Sequence, residues 1–233
     1  MGPPPSPGSE GFPVGVPSGI DSARLAGDPL MVAPSQREDS QMRKLLLGAL
    51  FISSVLLAPA AAPAAAATLA GVTLPDKADA GGQALVLNGL ALRTKFFIKV
   101  YVGGLYLPAK ERSPAKVMGA DAPRRMSFHF LYSVSAKQMC DAWDEGLADN
   151  SPAAAGEVKA SFKTLCSYME AIPKGHEMVL TYLPGQGTQV EVNGKTKGTL
   201  PGKPTADAVL ATWIGPHPGP GEDFKKGVLG AAQ

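Results

Sequence analysis

The chain has 233 residues, with 27 Gly, 22 Pro and 22 basic against 20 acidic side chains, a formal net charge of +2. From residue 68 onward the balance is 18 basic to 15 acidic, too even to predict a nucleic-acid surface. Those 166 residues suit one domain with a real core.

Residues 1–41 hold six Gly and eight Pro without apolar periodicity. Such a segment buries too little surface to offset its ordering entropy, so it is expected to be disordered. At Met42 the pattern changes. Met42-Arg43-Lys44 leads into an apolar run from Leu45 to Leu57, then an alanine-rich stretch ending Ala65-Ala66-Ala67. A positive start, about a dozen apolar residues and a small-residue A-x-A site are the marks of a secretory signal peptide. The organisation predicted is a Pro/Gly-rich extension over 1–41 that reflects a start assigned too early, a signal over 42–67, and one domain over 68–233. The alternative is a genuine extension, which would make the 23 residues from Leu45 to Ala67 an internal anchor. The predicted location is periplasmic or secreted.

Along the domain, Ala84 to Gly89 reads as a short strand running into an Asn88-Gly89 turn. Phe96 to Leu107 is the longest β-like run, apolar on both faces except at Lys99, which predicts a strand covered on both sides. Gly103-Gly104 within it marks a bulge or a close approach. Met126 to Val134 is a further strand with His129 at its middle. Ser135 to Gln138 is an S-x-x-Q capping box opening a helix to about Ala148, with Met139, Trp143 and Leu147 facing the core. Ser151-Pro152 is read as the cap of the next helix, whose stripe is Val158, Phe162, Leu165, Cys166 and Met169.

A β-meander follows: Glu177 to Leu183, a turn at Pro184 to Gly187, Thr188 to Val192, an Asn193-Gly194 hairpin signal, and a strand to about Leu200. Helices over Thr205–Ile214 and Glu222–Leu229 close the chain. This order predicts an α+β fold, a large antiparallel sheet carrying a layer of helices.

The two cysteines, Cys140 and Cys166, fall on consecutive antiparallel helices. With the connection placed near residue 150, they sit about 10 and 16 residues from it, roughly 10 Å apart in height. That exceeds the Cα–Cα limit of about 7 Å for a disulfide, so two buried free thiols are expected.

No HExxH, CxxC, G-x-S-x-G or phosphate-loop signature occurs, and His129, His176 and His217 are widely spaced, so neither a metal nor a cofactor is expected. The remaining candidates are polar groups on apolar elements. Arg93 leads into the long strand and either binds an anion or reaches to the sheet edge. Tyr101 and Tyr106, five apart, face opposite sides of one strand. His129 reads as a satisfied structural histidine, and the Thr212 hydroxyl can bond back to a helical carbonyl.

The segment Leu87-Asn88-Gly89-Leu90-Ala91-Leu92-Arg93-Thr94-Lys95-Phe96-Phe97-Ile98-Lys99-Val100-Tyr101-Val102-Gly103-Gly104-Leu105-Tyr106-Leu107 resembles the signature of bacterial exported chalcone isomerase-like proteins. Far downstream, Ala208-Val209-Leu210-Ala211-Thr212-Trp213-Ile214-Gly215-Pro216-His217 is similar to a second family block. Asp223 to Lys226 and Leu229 resemble its final helix.

The resemblance implies an open-faced β-sandwich with a ligand cleft between sheet and helices. It implies that Arg93 holds an oxyanion or carboxylate, that Tyr101 stands where plant enzymes place a ketone-polarising threonine, and that Thr212 lines the pocket. It also places Met139, Ala142 and Gly146 where plant enzymes carry a tyrosine, a lysine and an asparagine, which argues against chalcone cyclisation.

The reading favoured is a non-catalytic binder of a small apolar or carboxylate-bearing ligand, with Arg93, Tyr101, Tyr106 and Thr212 as candidate ligand-binding residues. The alternatives are an isomerase acting as an intramolecular lyase on another substrate, and an envelope interaction protein with a vestigial cleft. No nucleic acid is expected as a partner, and a membrane only through an uncleaved signal segment.

Overall fold

The computed structural model describes residues 66–231. The readings of residues 1–41 and 42–67 fall outside that range, save for Ala66 and Ala67. These two open the first strand and pair with Pro75 and Leu74.

The chain begins with a two-stranded hairpin, β1 (Ala66–Leu69) and β2 (Val72–Pro75). Then come β3 (Lys77–Ala80), β4 (Gln83–Lys95), β5 (Ile98–Leu107), α1 (Pro114–Gly119) and β6 (Arg124–Phe130). Helices α2 (Ala136–Asn150) and α3 (Gly156–Ser167) follow, then β7 (Glu177–Leu183), β8 (Gly187–Val192) and β9 (Lys195–Leu200). Helices α4 (Lys203–Ile214) and α5 (Glu222–Val228) complete the described chain. Strands β3 to β9 form one seven-stranded sheet in sequence order, and every neighbouring pair is antiparallel. The expected α+β architecture is the one observed.

Strand periodicity divides the apolar residues between two faces. Ala91, Leu105, Leu107, Met126, Phe128 and Phe130 pack with α2, α3, α4 and α5 in the larger core. Leu85, Leu87, Val102 and Tyr106 pack on the other side with Val72 and Leu74 of the hairpin. Gly103 and Gly104 admit both layers. A Cβ on Gly103 would lie 2.7 Å from Phe224 Cζ on α5, and one on Gly104 would lie 2.6 Å from Leu74 Cδ1 on β2. Of the two roles expected for this pair, close approach is the one they serve.

Four local readings need correction. Asn88-Gly89 is no turn: β4 runs through it, with a register shift between Leu87 and Gly89. The buried Asn88 side chain donates to Val228 O (2.9 Å) and accepts from Glu111 N (2.8 Å), so it docks the end of α5 onto the sheet. Phe96 and Phe97 form the β4–β5 turn instead of extending β5, because Lys95 pairs directly with Ile98. The strand is buried on both faces only from Val102 onward. The strand predicted to reach Val134 ends at Phe130, and Val134 makes an isolated bridge to Ile172.

Finally, Ser151-Pro152 does not open α3. Helix α2 continues to Asn150 with Ser151 as its C-cap, and α3 starts only at Gly156. The Asn150 side chain donates to Gly146 O (3.1 Å) and His217 O (2.8 Å), holding this last turn.

That shift overturns the expectation of free thiols. Cys140 is ten residues before the end of α2 and Cys166 ten residues after the start of α3. Equal distances from the connection place them at the same height. They form a disulfide with Cα atoms 5.1 Å apart.

A polar network anchors α4. Arg124, buried on β6, pairs with Asp207, which also binds Lys203 at 2.6 Å. The Arg124 guanidinium lies 4.8 Å from the centre of the Tyr182 ring, and Tyr182 donates to Asp121 (2.6 Å).

Candidate functional site

Between the sheet and α2 lies a cleft of about 500 Å³. Its floor is the helix-facing side of β4, β5 and β6, with Tyr101, Phe128 and Phe130; its wall is α2, with Met139, Ala142, Trp143 and Gly146. Thr212 and Trp213 of α4 close the inner end.

Arg93 and Tyr101 are direct register partners across β4 and β5, so their side chains share the cleft face. Both line it. Tyr101 is held by rings on three sides: Phe128 edge-on at 5.2 Å, Phe224 edge-on at 5.7 Å and Phe130 tilted at 5.5 Å. Its phenol oxygen accepts a hydrogen bond from Trp213 Nε1 (3.1 Å). Burial pushes the Tyr101 phenol up to about 12, against the opposing pull of the Trp213 bond and the Arg93 charge. At neutral pH it is therefore a protonated donor rather than a base. Among the described residues its O–H meets no acceptor, and no ion pair or hydrogen bond engages the Arg93 guanidinium.

Arg93 and Tyr101 are thus two unspent donors on one apolar face, with Lys95 joining them toward the β4–β5 turn. On the helical wall Met139, Ala142 and Gly146 line the cleft without a polar side chain. Gly146 has no room for more. A Cβ there would lie 2.5 Å from Thr212 Cγ2, and Thr212 is locked by its hydroxyl donating to Val209 O at 2.8 Å. The polar groups Gln138, Asp141 and Glu145 line the cleft from α2, with Asp141 bound to Lys137 at 2.7 Å.

The four candidates thus separate. Arg93 and Tyr101 come together as donors. Thr212 lines the cleft, but its hydroxyl is bonded within the helix and its methyl group packs against Gly146. Tyr106 does not belong to the cleft. It lies on the opposite face of the sheet, buried, with its hydroxyl donating to Pro75 O (2.9 Å), as the five-residue spacing from Tyr101 requires. His129, paired with Val102 in register, also faces away and contacts Glu177 at 3.3 Å. Trp213, which lies inside the second family block and is not among the four candidates, also lines the cleft. Its signal was a polar-tipped aromatic inside an apolar helix, which needs a partner for its N–H when buried.

An antiparallel sheet carrying helices on one face, with a cleft between them that holds an arginine and a tyrosine, defines the class as an open-faced β-sandwich with an internal pocket. A family model described as chalcone isomerase-like matches residues 66–230, and the chain belongs to that family. Among solved structures it is similar to a fatty-acid binding protein of Arabidopsis thaliana, AtFAP1, with a TM-score of 0.59 and 18% identity over 71% of this chain and 96% of the other. That likeness establishes the fold. No curated protein matches the chain.

Proposed function

We propose that this protein is a non-catalytic binder of a small, largely apolar ligand bearing a carboxylate. The observation that carries the reading is the Arg93 guanidinium, free of protein partners among the described residues, beside the neutral Tyr101 phenol on the wall of an apolar cleft. A guanidinium fork and a phenol together supply charge-assisted hydrogen bonds to one carboxylate, and a volume of about 500 Å³ falls within the range of small-molecule sites. The solved relative described as a fatty-acid binding protein supports an acidic amphiphile as the ligand class.

An isomerase is the second reading, because Arg93 and Tyr101 converge as two electrophilic groups. It is disfavoured because Met139, Ala142 and Gly146 bring no proton-transfer group to the cleft, and the carboxylates that line it from the same helix, Asp141 and Glu145, are solvent-exposed and lack the burial that tunes a catalytic acid or base. An interaction protein with a vestigial cleft calls for a collapsed interior, whereas this cleft is open.

Export from a Met42 start is part of the proposal. The signal-like segment supports it, and so does the Cys140–Cys166 bond, since such bonds persist in oxidising compartments.

The test is native mass spectrometry with lipid extraction on the protein exported from a Met42 start, wild type beside Arg93→Ala. An acidic amphiphile that co-purifies with the wild type and is lost from the variant is the expected result. An empty wild type would overturn tight binding, and equal occupancy would remove Arg93 as the anchor.

A further inference from the structure

The turn between β4 and β5 is built against its own preferences. Phe96 and Phe97 both sit at positive φ, 47° and 66°, the geometry of a primed hairpin turn that favours Asn-Gly. Bulky residues are rare there. The described residues leave both rings largely bare: Phe96 is 83% exposed and Phe97 fully so. Ile98 and Tyr132 beside them are also exposed. The strained, bare aromatic tip contributes nothing to the core.

Its charges are one-sided. From Ala80 to Lys110 the chain has no Asp or Glu, and the cations within β4 and β5 are Arg93, Lys95 and Lys99, all within three residues of the two phenylalanines. Lys95 and Lys99 are exposed.

We propose that this tip is a docking element for an anionic lipid surface, with Phe96 and Phe97 entering the headgroup–acyl boundary and Lys95 and Lys99 contacting lipid phosphates. Aromatic residues flanked by lysines are the chemistry that partitions into such an interface. A second copy of the chain fits less well, because a convex two-residue tip cannot supply the roughly 800 Å² per partner of a stable protein interface.

The tip is also the rim of the cleft, which Lys95, Phe96, Ile98 and Tyr132 line. Docking therefore turns the mouth toward the bilayer. In this second part the inference rests on the ligand reading above: an acidic amphiphile would pass between membrane and cleft without crossing bulk water.

The experiment is co-sedimentation of the exported, processed protein with vesicles of 7:3 phosphatidylcholine and phosphatidylglycerol, beside pure phosphatidylcholine. Phe96→Asn/Phe97→Gly installs the turn's preferred sequence, so it removes the aromatic tip without endangering the hairpin. We expect the wild type to bind the anionic vesicles in a salt-sensitive manner, and this variant to lose about tenfold or more in partitioning. Lys95→Gln/Lys99→Gln should lose about tenfold on anionic vesicles and little on neutral ones.

Wild type that remains in the supernatant overturns the proposal. So does an Asn-Gly variant that binds as well as wild type, or a tip-dependent dimer in sedimentation equilibrium without vesicle binding. The two readings fail separately. Wild type that purifies empty yet docks defeats the ligand reading alone, and wild type that carries ligand yet does not dock defeats docking alone.

Discussion

Gly146→Ala tests why the helical wall of the cleft carries no side chain at 146. The added Cβ would lie 2.5 Å from Thr212 Cγ2 and 2.9 Å from Thr212 Cβ. Thr212 cannot swing aside without giving up its 2.8 Å bond to Val209 O. Overpacking of this kind costs about 1–3 kcal/mol, while replacing glycine inside a helix returns about 1 kcal/mol. The single variant should therefore lose about 0–2 kcal/mol, which is too broad a range to be decisive.

A double-mutant cycle with Thr212→Ser removes the ambiguity. Serine keeps the hydroxyl and deletes Cγ2, the atom in closest conflict. It costs about 0.8 kcal/mol alone for the lost methyl burial. The propensity gain of alanine enters both edges of the cycle and cancels, so the coupling isolates the clash. We expect the double variant to be more stable than the sum of the singles by about 1 kcal/mol, read from urea unfolding midpoints with unchanged m-values. Additivity within about 0.5 kcal/mol would refute the close contact, and with it the account of why an asparagine-sized side chain has no place at 146.

Other outcomes follow from the same contacts. Cys140→Ser/Cys166→Ser opens a loop of 26 residues and should lower stability by about 3.5 kcal/mol on the chain-entropy relation; an unchanged melt in dithiothreitol would contradict this. Asp207→Ala leaves Arg124 buried without its carboxylate and should cost about 3–5 kcal/mol in chemical denaturation, whereas Lys203→Met, which removes a partly exposed partner together with its bond to Met118 O, should cost only about 1 kcal/mol.

Tyr101, Tyr106 and Tyr182 are each pushed up to about 12, chiefly by burial. Between about pH 10 and 12 the unfolded chain releases these phenolic protons while the folded chain keeps them. Stability should therefore be fully present below pH 10 and fall as pH rises through that window. Thermal melts that stay level to pH 11.5, or phenolate absorbance that rises fully by pH 10.5 in folded protein, would contradict the burial of these rings.

Local signals were legible wherever a residue's role depends on near neighbours. The capping box at Ser135 and Gln138, the Asn193-Gly194 hairpin and the alternation that sends Tyr101 and Tyr106 to opposite faces depend on a few adjacent dihedrals. They appear in the structure as read. The order of elements and the family blocks at Leu87–Leu107 and Ala208–His217 made the sheet-and-helix fold legible as well.

What tertiary structure decided were the matters that depend on contacts between distant segments. Asn88-Gly89 has the composition of a turn, and it became a bulge because Val228 and Glu111 satisfy the asparagine from 140 and 23 residues away. Cys140 and Cys166 came into register because Asn150, bonded to the backbone of His217, helps hold the last turn of α2 and α3 begins only at Gly156. Trp213 became a site residue because packing brought its indole N–H to the hydroxyl of Tyr101, 112 residues earlier. Periodicity assigns a side chain to a face. Which groups meet across that face is set by how layers stack, and no local pattern encodes that distance.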